Sequence, residues 1–201
     1  MFICKSCRFL FAFIFFLSPF FLKAQQTQIY VDADAQYRSA LDLFEKQKYS
    51  EAEDAFDKIV STSKDKNNLF TVDAEYYAAL CAMELFHKDA ETRLKQFLAD
   101  YPESPKCRQV YFQLGRYNFR KKDYKDALVW FHQVEIYDLQ KDELSEYYFK
   151  RGYAHYELNQ VDSAKTDFFE IKDGDSKYSP AANYYYSHIA YTEGNYETAL
   201  Q

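Results

Sequence analysis

Five alanines, Ala52, Ala90, Ala127, Ala164 and Ala199, recur at steps of 38, 37, 37 and 35 residues, and other positions recur with them. Twelve residues before each stands another small residue: Ala40, Ala78, Gly115, Gly152 and Ser187. Three before stand Tyr49, His87, Tyr124, Val161 and Tyr196. Four after come Phe56, Leu94, Phe131 and Phe168, and seven after come Ile59, Phe97, Val134 and Ile171. A period in this range that agrees in several registers marks a repeat architecture. Two helices approach to ~8–10 Å only where the side chains at their crossing are small. The small residue of a first helix is therefore expected to meet the alanine of a second. The positions four and seven further on share one helical face. A single hairpin cannot bury that face alone, so successive hairpins must stack.

The most regular stretch, Arg108 to Tyr137, has Tyr111, Leu114, Gly115, Tyr124, Ala127 and Phe131 in register, and Pro102 closes the unit before it. This resembles the tetratricopeptide repeat, a helix–turn–helix unit with small residues at its eighth and twentieth positions and an aromatic at its twenty-fourth. Gln36 and Ala74 depart from the pattern where a bulky residue is usual. The resemblance implies an all-α fold, a right-handed α-solenoid of about four and a half repeats. They fall at about 33–69, 71–104, 108–141 and 145–178, with an incomplete unit at 180–201. Residues 25–201 then form one repeat domain. Nothing resembles a polar capping helix, so the array reads as the start of a longer repeat protein or as a truncated product.

Local signals refine the boundaries. Ser50 with Glu53 has the spacing of a capping box opening a second helix. Ser104-Pro105 and Ser179-Pro180 each place a cap residue ahead of a proline in a first turn. Asp138 to Asp142 reads as a loop, with the next helix opening near Glu143.

The first 24 residues stand apart. Lys5 and Arg8 precede an almost wholly apolar run from Phe9 to Leu22, and Ala24 comes before polar Gln25. That order describes a cleaved secretory signal. Pro19 interrupts the run, which also falls short of the ~20 apolar residues of a membrane span. The expected localisation is export, periplasmic or outer-membrane-associated, with no direct membrane insertion after cleavage. Without the signal's three cations, 22 basic residues face 31 acidic ones, a net charge of −9. Such a balance excludes nucleic acid as a partner, since its recognition begins with phosphate neutralisation.

No catalytic or cofactor arrangement emerges. Gly115, Gly152, Gly174 and Gly194 are isolated, and no zinc-protease, paired-cysteine or calcium-loop pattern occurs. Asp173-Gly174-Asp175-Ser176 lacks the later acidic ligands of a calcium loop and reads as a helix-ending turn. His87, His132, His155 and His188 fall in different repeats; the last two occupy similar heights, but a zinc site needs three or four ligands. Cys81 lies late in one first helix and Cys107 at the start of the next. Their heights differ by roughly 15 Å at 1.5 Å per residue, too far for a bridge, so two thiols are expected. Neither a cofactor nor a metal is expected, and the chain reads as a non-enzyme.

By resemblance to the family, ligands contact the second, fifth, ninth, twelfth and thirteenth positions of each first helix, on the concave face. The fifth positions are Tyr37, Glu75, Phe112, Phe149 and Tyr184, and the twelfth are Phe44, Ala82, Phe119, Tyr156 and Tyr191. Arg116, Arg120, Tyr153 and His188 stand beside them. The candidate groove is therefore Tyr37, Phe112, Arg116, Phe119, Arg120, Phe149, Tyr153, Tyr156, Tyr184, His188 and Tyr191. Rings at these heights serve equally well as filler between hairpins, and the arginines as solvated charge. The implied partner is a protein or peptide and the implied role a scaffold of the cell envelope; the alternative is the sensory N-terminal region of a membrane-spanning signalling protein. The run Leu98 to Pro105, with Tyr101-Pro102-Glu103-Ser104 at its centre, resembles periplasmic repeat proteins of outer-membrane assembly and of Tol–Pal-associated maintenance. The phenylalanine-rich signal ending in Ala-Gln is similar to those of exported Bacteroidetes proteins.

Overall fold

The computed structural model describes residues 33–199, and the export signal read at 1–24 lies outside them. All secondary structure among the described residues is helical, as the repeat pattern requires. The chain forms two compact units that meet in sequence between Leu85 and Phe86, inside the second repeat as the sequence divides it.

The first unit holds α1 (33–45), α2 (Tyr49–Thr62) and α3 (Leu69–Glu84). Its core gathers Ala40, Ala52, Phe56, Ile59, Ala74, Ala78 and Cys81. Helix α3 buries Ala78 through Met83 without interruption, so apolar residues surround it rather than forming one stripe. It starts where Asn68 Oδ1 accepts from the Phe70 N–H at 2.9 Å.

The second unit holds α4 (Ala90–Asp100), α5 (Lys106–Arg120), α6 (Tyr124–Phe131), α7 (Lys141–Glu157), α8 (Val161–Phe169), α9 (Ser179–Thr192) and α10 (Tyr196–Ala199). A 3-10 turn, Ile136–Asp138, joins α6 to α7. Each helix packs on the next, and α5 also touches α7, so hairpins stack in chain order. Phe112, Ala127, Phe131, Val134 and Tyr147 form one core cluster; Ala164, Phe168, Ile171, Ala182 and Ile189 form the next. Tyr148 packs against both and links them.

The repeat-defining positions behave as their spacing requires through the first four units. Ala40, Ala52, Ala90, Ala127 and Ala164 are fully buried, Ala78 is 3% exposed, and Gly115 and Gly152 are buried. Ser187 and Ala199 in the last unit are only half-buried. What the small residues make room for differs from the expected alanine. A methyl group built on Gly115 would have only Phe131 ring atoms as its nearest neighbours, at 2.5 to 3.0 Å. On Gly152 it would meet Asp167 Cβ and the Phe168 ring at 3.0 Å. The crossing is narrow because an aromatic ring, four residues past the alanine, lies over the glycine.

Every hairpin corner carries a residue in left-handed backbone. Gln47, Lys122, Asn159 and Gly194, at φ of 59°, 62°, 58° and 79°, each stand five residues before the repeat alanine. Phe86, at 61°, stands four before Ala90, where one residue fewer separates corner and alanine. Within each unit one such residue reverses the chain after a first helix, and four of the five are not glycine.

Two expected caps differ. Helix α2 begins at Tyr49 after Lys48, with no side-chain cap, so Ser50 lies inside its first turn. Helix α7 opens at Lys141, two residues before the expected Glu143. There the Glu143 carboxylate accepts from the Gln140 N–H at 3.0 Å, a reciprocal cap in what reads as loop. The Ser104 hydroxyl does accept from the Lys106 N–H, but Pro105 holds the cap position of α5, and Ser179 is itself the first residue of α9, after Tyr178, so it is not the expected cap.

Candidate partner-binding surface

Helices α5, α7 and α9 are the first helices of three successive hairpins, and their shared register brings most of the expected groove residues into one strip. Phe119 on α5 meets Tyr153 on α7 edge-on at 5.8 Å. Tyr153 reaches Tyr156 at 6.5 Å, Tyr156 reaches His188 on α9 at 6.4 Å, and His188 stacks flat on Tyr184 at 6.1 Å. Exposure rises along this path. Phe119, Tyr153 and Tyr156 are half-buried, whereas Tyr184 and Tyr191 are 64% and 62% exposed.

Phe112 has to be removed from the groove. It is 2% exposed and lies against Phe131 at 6.3 Å, in the core. In this repeat the Phe131 ring and its neighbours cover the fifth position completely. Phe149 is intermediate, half-buried between Phe168 at 6.0 Å and Tyr178 at 5.3 Å. Tyr37, in the first unit, packs on Phe56, Phe70 and Tyr77 and donates to Asp73 at 3.3 Å.

Arg116 is not a solvated charge. Its Nε donates to Glu146 Oε1 at 2.8 Å, the same oxygen that accepts from Lys150 Nζ at 2.5 Å. Glu146 escaped the sequence reading, although its spacing of four from Lys150 was visible. Burial alone would raise the Glu146 carboxyl, but Lys150 and Arg116 overcome it and hold the group below the usual carboxylate range. Lys150 is pushed down, chiefly by burial and further by Arg116 and Arg120, with Glu146 opposing. Arg120 lies over the Phe86 ring at 4.3 Å. Two cations thus share one carboxylate at the α5 end of the strip, with Arg120 close enough to depress Lys150. Tyr153 is held protonated, first by its hydrogen bond to Glu157 and then by burial.

A second network lies under α7. Asp167, 2% exposed, accepts from Arg151 Nε at 2.9 and 3.0 Å, and Arg151 also donates to the Tyr147 hydroxyl. His155 belongs here: its Nδ1 is 2.5 Å from Gln160 Oε1 and its Nε2 is 3.9 Å from Asp167. His155 and His188 thus serve different surroundings. Cys81 and Cys107 are buried thiols. Burial pushes the Cys107 thiol up, and its Sγ–H donates to the Tyr101 carbonyl at 3.0 Å. Among the described residues no His, Cys, Asp or Glu cluster could hold a metal, and no helix is long and apolar enough to cross a membrane.

The class that this fold defines is a helical-repeat protein. Residues 86–137, from the α4 corner to the turn after α6, match the tetratricopeptide repeat family model. Among solved structures, a MamA point mutant superposes with a TM-score of 0.66 at 17% identity, covering 85% of this chain and 92% of that one. MamA from AMB-1 gives 0.63 at 17% identity, covering 85% and 87%. A Podosopora anserina structure of nearly identical TPR-like repeats gives 0.60 at 13% identity, covering 83% and 89%. At these identities the likeness shows the fold alone. No curated protein matches the sequence.

Proposed function

We propose that this chain is a non-enzymatic scaffold that binds a protein or peptide partner along α5, α7 and α9. The observation that carries this reading is the strip from Phe119 to Tyr184, whose rings touch in series while their exposure increases toward α9. Rings that serve only as filler are covered, as Phe112 is; Tyr184 and Tyr191 are not. Exposed tyrosines provide large, stiff, amphipathic contact area and are enriched at the centres of protein interfaces. Arg116, Lys150 and Arg120 add a local positive field to an acidic chain, which suits acidic groups on the partner. The basic head and short apolar run of residues 1–24 support a scaffold working in the cell envelope.

The test is site-specific photocrosslinking in envelope extracts. A photoreactive phenylalanine at Tyr184 should capture a discrete partner, while one at Val129, 57% exposed on α6, should not. Equal capture at both positions, or none at Tyr184, overturns the assignment. Fractionation of the tagged chain tests the compartment separately.

A further inference from the structure

Phe86 is unusual in two respects. It holds φ of 61°, a conformation that a bulky side chain seldom adopts, and its ring is 69% exposed. The matching corners use Gln47, Lys122, Asn159 and Gly194, which are polar or glycine. At Phe86 the backbone counts against the folded state and the exposed ring returns little burial. Strained residues of this kind gather at functional sites.

The surroundings of the ring are cationic. Arg120, at the end of α5, lies over it at 4.3 Å and over Tyr117 at 5.8 Å. Lys121 lies over Tyr117 at 5.2 Å and pairs with Glu91 at 3.1 Å, which ties the corner before α4 to the corner before α6. Lys88 stands two residues after Phe86 and Lys122 two after Arg120. Both are exposed, and among the described residues neither pairs with a carboxylate. These cations belong to a wider pattern. Residues 86–126 carry ten basic and six acidic side chains, in a chain whose net charge is −6. A local excess of positive charge thus coincides with an exposed ring in strained backbone.

We infer that Phe86, Lys88, Arg120 and Lys122 form a docking patch for an acidic segment of a partner protein, which packs an apolar side chain on the Phe86 ring and sets its carboxylates against the three cations. Charge complementarity selects this occupant. Exposed Asp89, Asp123 and Asp126 lie among the cations, so a flat anionic membrane would meet them too, whereas a peptide can place its carboxylates between them. The patch continues the α5 end of the groove, since Arg120 also pushes the Lys150 amine down. The inference rests on the chain being a protein-binding scaffold, but not on α9 or Tyr184.

The probe is a labelled peptide, DEEFDED, titrated against the full chain by fluorescence anisotropy. It should bind saturably, at least about tenfold more tightly than its uncharged counterpart NQQFNQN, and more weakly as salt is raised. Phe86→Gly should weaken binding at least about tenfold, as loss of a central aromatic anchor does. The same change should raise the melting temperature by about 1–4 °C, because glycine takes up left-handed backbone without strain. A more stable protein that has lost binding separates docking from a role in folding. Arg120→Gln serves as a second variant and should also weaken the acidic peptide. Absence of binding, equal affinity of the two peptides, or unchanged binding by Phe86→Gly overturns the inference. So does a lower melting temperature of Phe86→Gly, since the ring would then be a structural cover. Attachment to phosphatidylglycerol vesicles that Phe86→Gly abolishes, or a dimer that it dissociates, gives the patch another occupant and overturns the inference too. Capture at Tyr184 without peptide binding sinks this inference and leaves the scaffold reading standing; peptide binding without capture at Tyr184 does the reverse for the groove.

Discussion

The Phe131 ring lies across Gly115 so closely that a methyl group there would sit 2.5 Å from its Cδ1 and Cε1. Phe131 is fully buried among Phe112, Tyr147 and Ala127, so the ring has little room to yield. Gly115→Ala should destabilise the chain by about 1–2 kcal/mol, the cost of overpacking less the helix-propensity gain of alanine. Gly152→Ala, with its nearest atoms at 3.0 Å, should cost less. Urea melts of the two variants decide the order; a more stable Gly115→Ala would mean that the crossing is looser than described.

The corners predict the opposite sign for a glycine. Lys122 holds φ of 62° with an exposed side chain. Left-handed backbone costs a side-chain-bearing residue roughly 1–2 kcal/mol, which glycine avoids at some loss of unfolded-state entropy. Lys122→Gly should therefore stabilise by about 0.5–1 kcal/mol. Asn159→Gly should gain less, because asparagine tolerates this region. Thermal melts that show both variants destabilised would contradict the corner geometry.

Arg151 and Asp167 form a buried pair whose halves are unequal to solvent, at 21% and 3% side-chain exposure. Arg151→Met leaves the carboxylate buried with His155 3.9 Å away and should cost ~3 kcal/mol. Replacing both, Arg151→Met with Asp167→Leu, should cost clearly less than the single change. If the double variant is the less stable one, the pair is a net stabiliser rather than a mutual necessity.

The repeat was legible because small residues and rings recur at fixed spacing, and helical spacing maps directly onto a packed face. The groove was legible only in part. Phe112 and Tyr184 occupy the same repeat position, yet one is core, against Phe131, and the other is 64% exposed. Position within a repeat does not encode that difference. Arg116 finds Glu146 thirty residues away, a pairing set by how α5 and α7 lie side by side. The Gln140–Glu143 cap was overlooked since glutamine is an uncommon cap, whereas Ser50 has a capping spacing that a helix starting one residue earlier leaves unused.

Glu146 makes acid sensitivity a readable property of the α5–α7 junction. Its carboxylate accepts from Arg116 and Lys150 and is 13% exposed, and its folded pKa lies below the ordinary value of 4.5 despite burial pulling the other way. A carboxyl with a depressed folded value contributes stability that is complete above its unfolded pKa and is lost as pH falls through the folded one. The window therefore opens near pH 4.5 and extends downward. Lys150 adds to the dependence, because burial already lowers its pKa and Glu146 is the group that opposes this. Glu146→Gln should cost ~2 kcal/mol at pH 7, the usual worth of hydrogen bonds to a charged acceptor. That gap should shrink progressively as pH falls below about 4.5 and the wild-type carboxyl protonates. A gap that is the same at pH 7 and pH 3 would show that the junction is held by packing, with the charge on Glu146 contributing nothing.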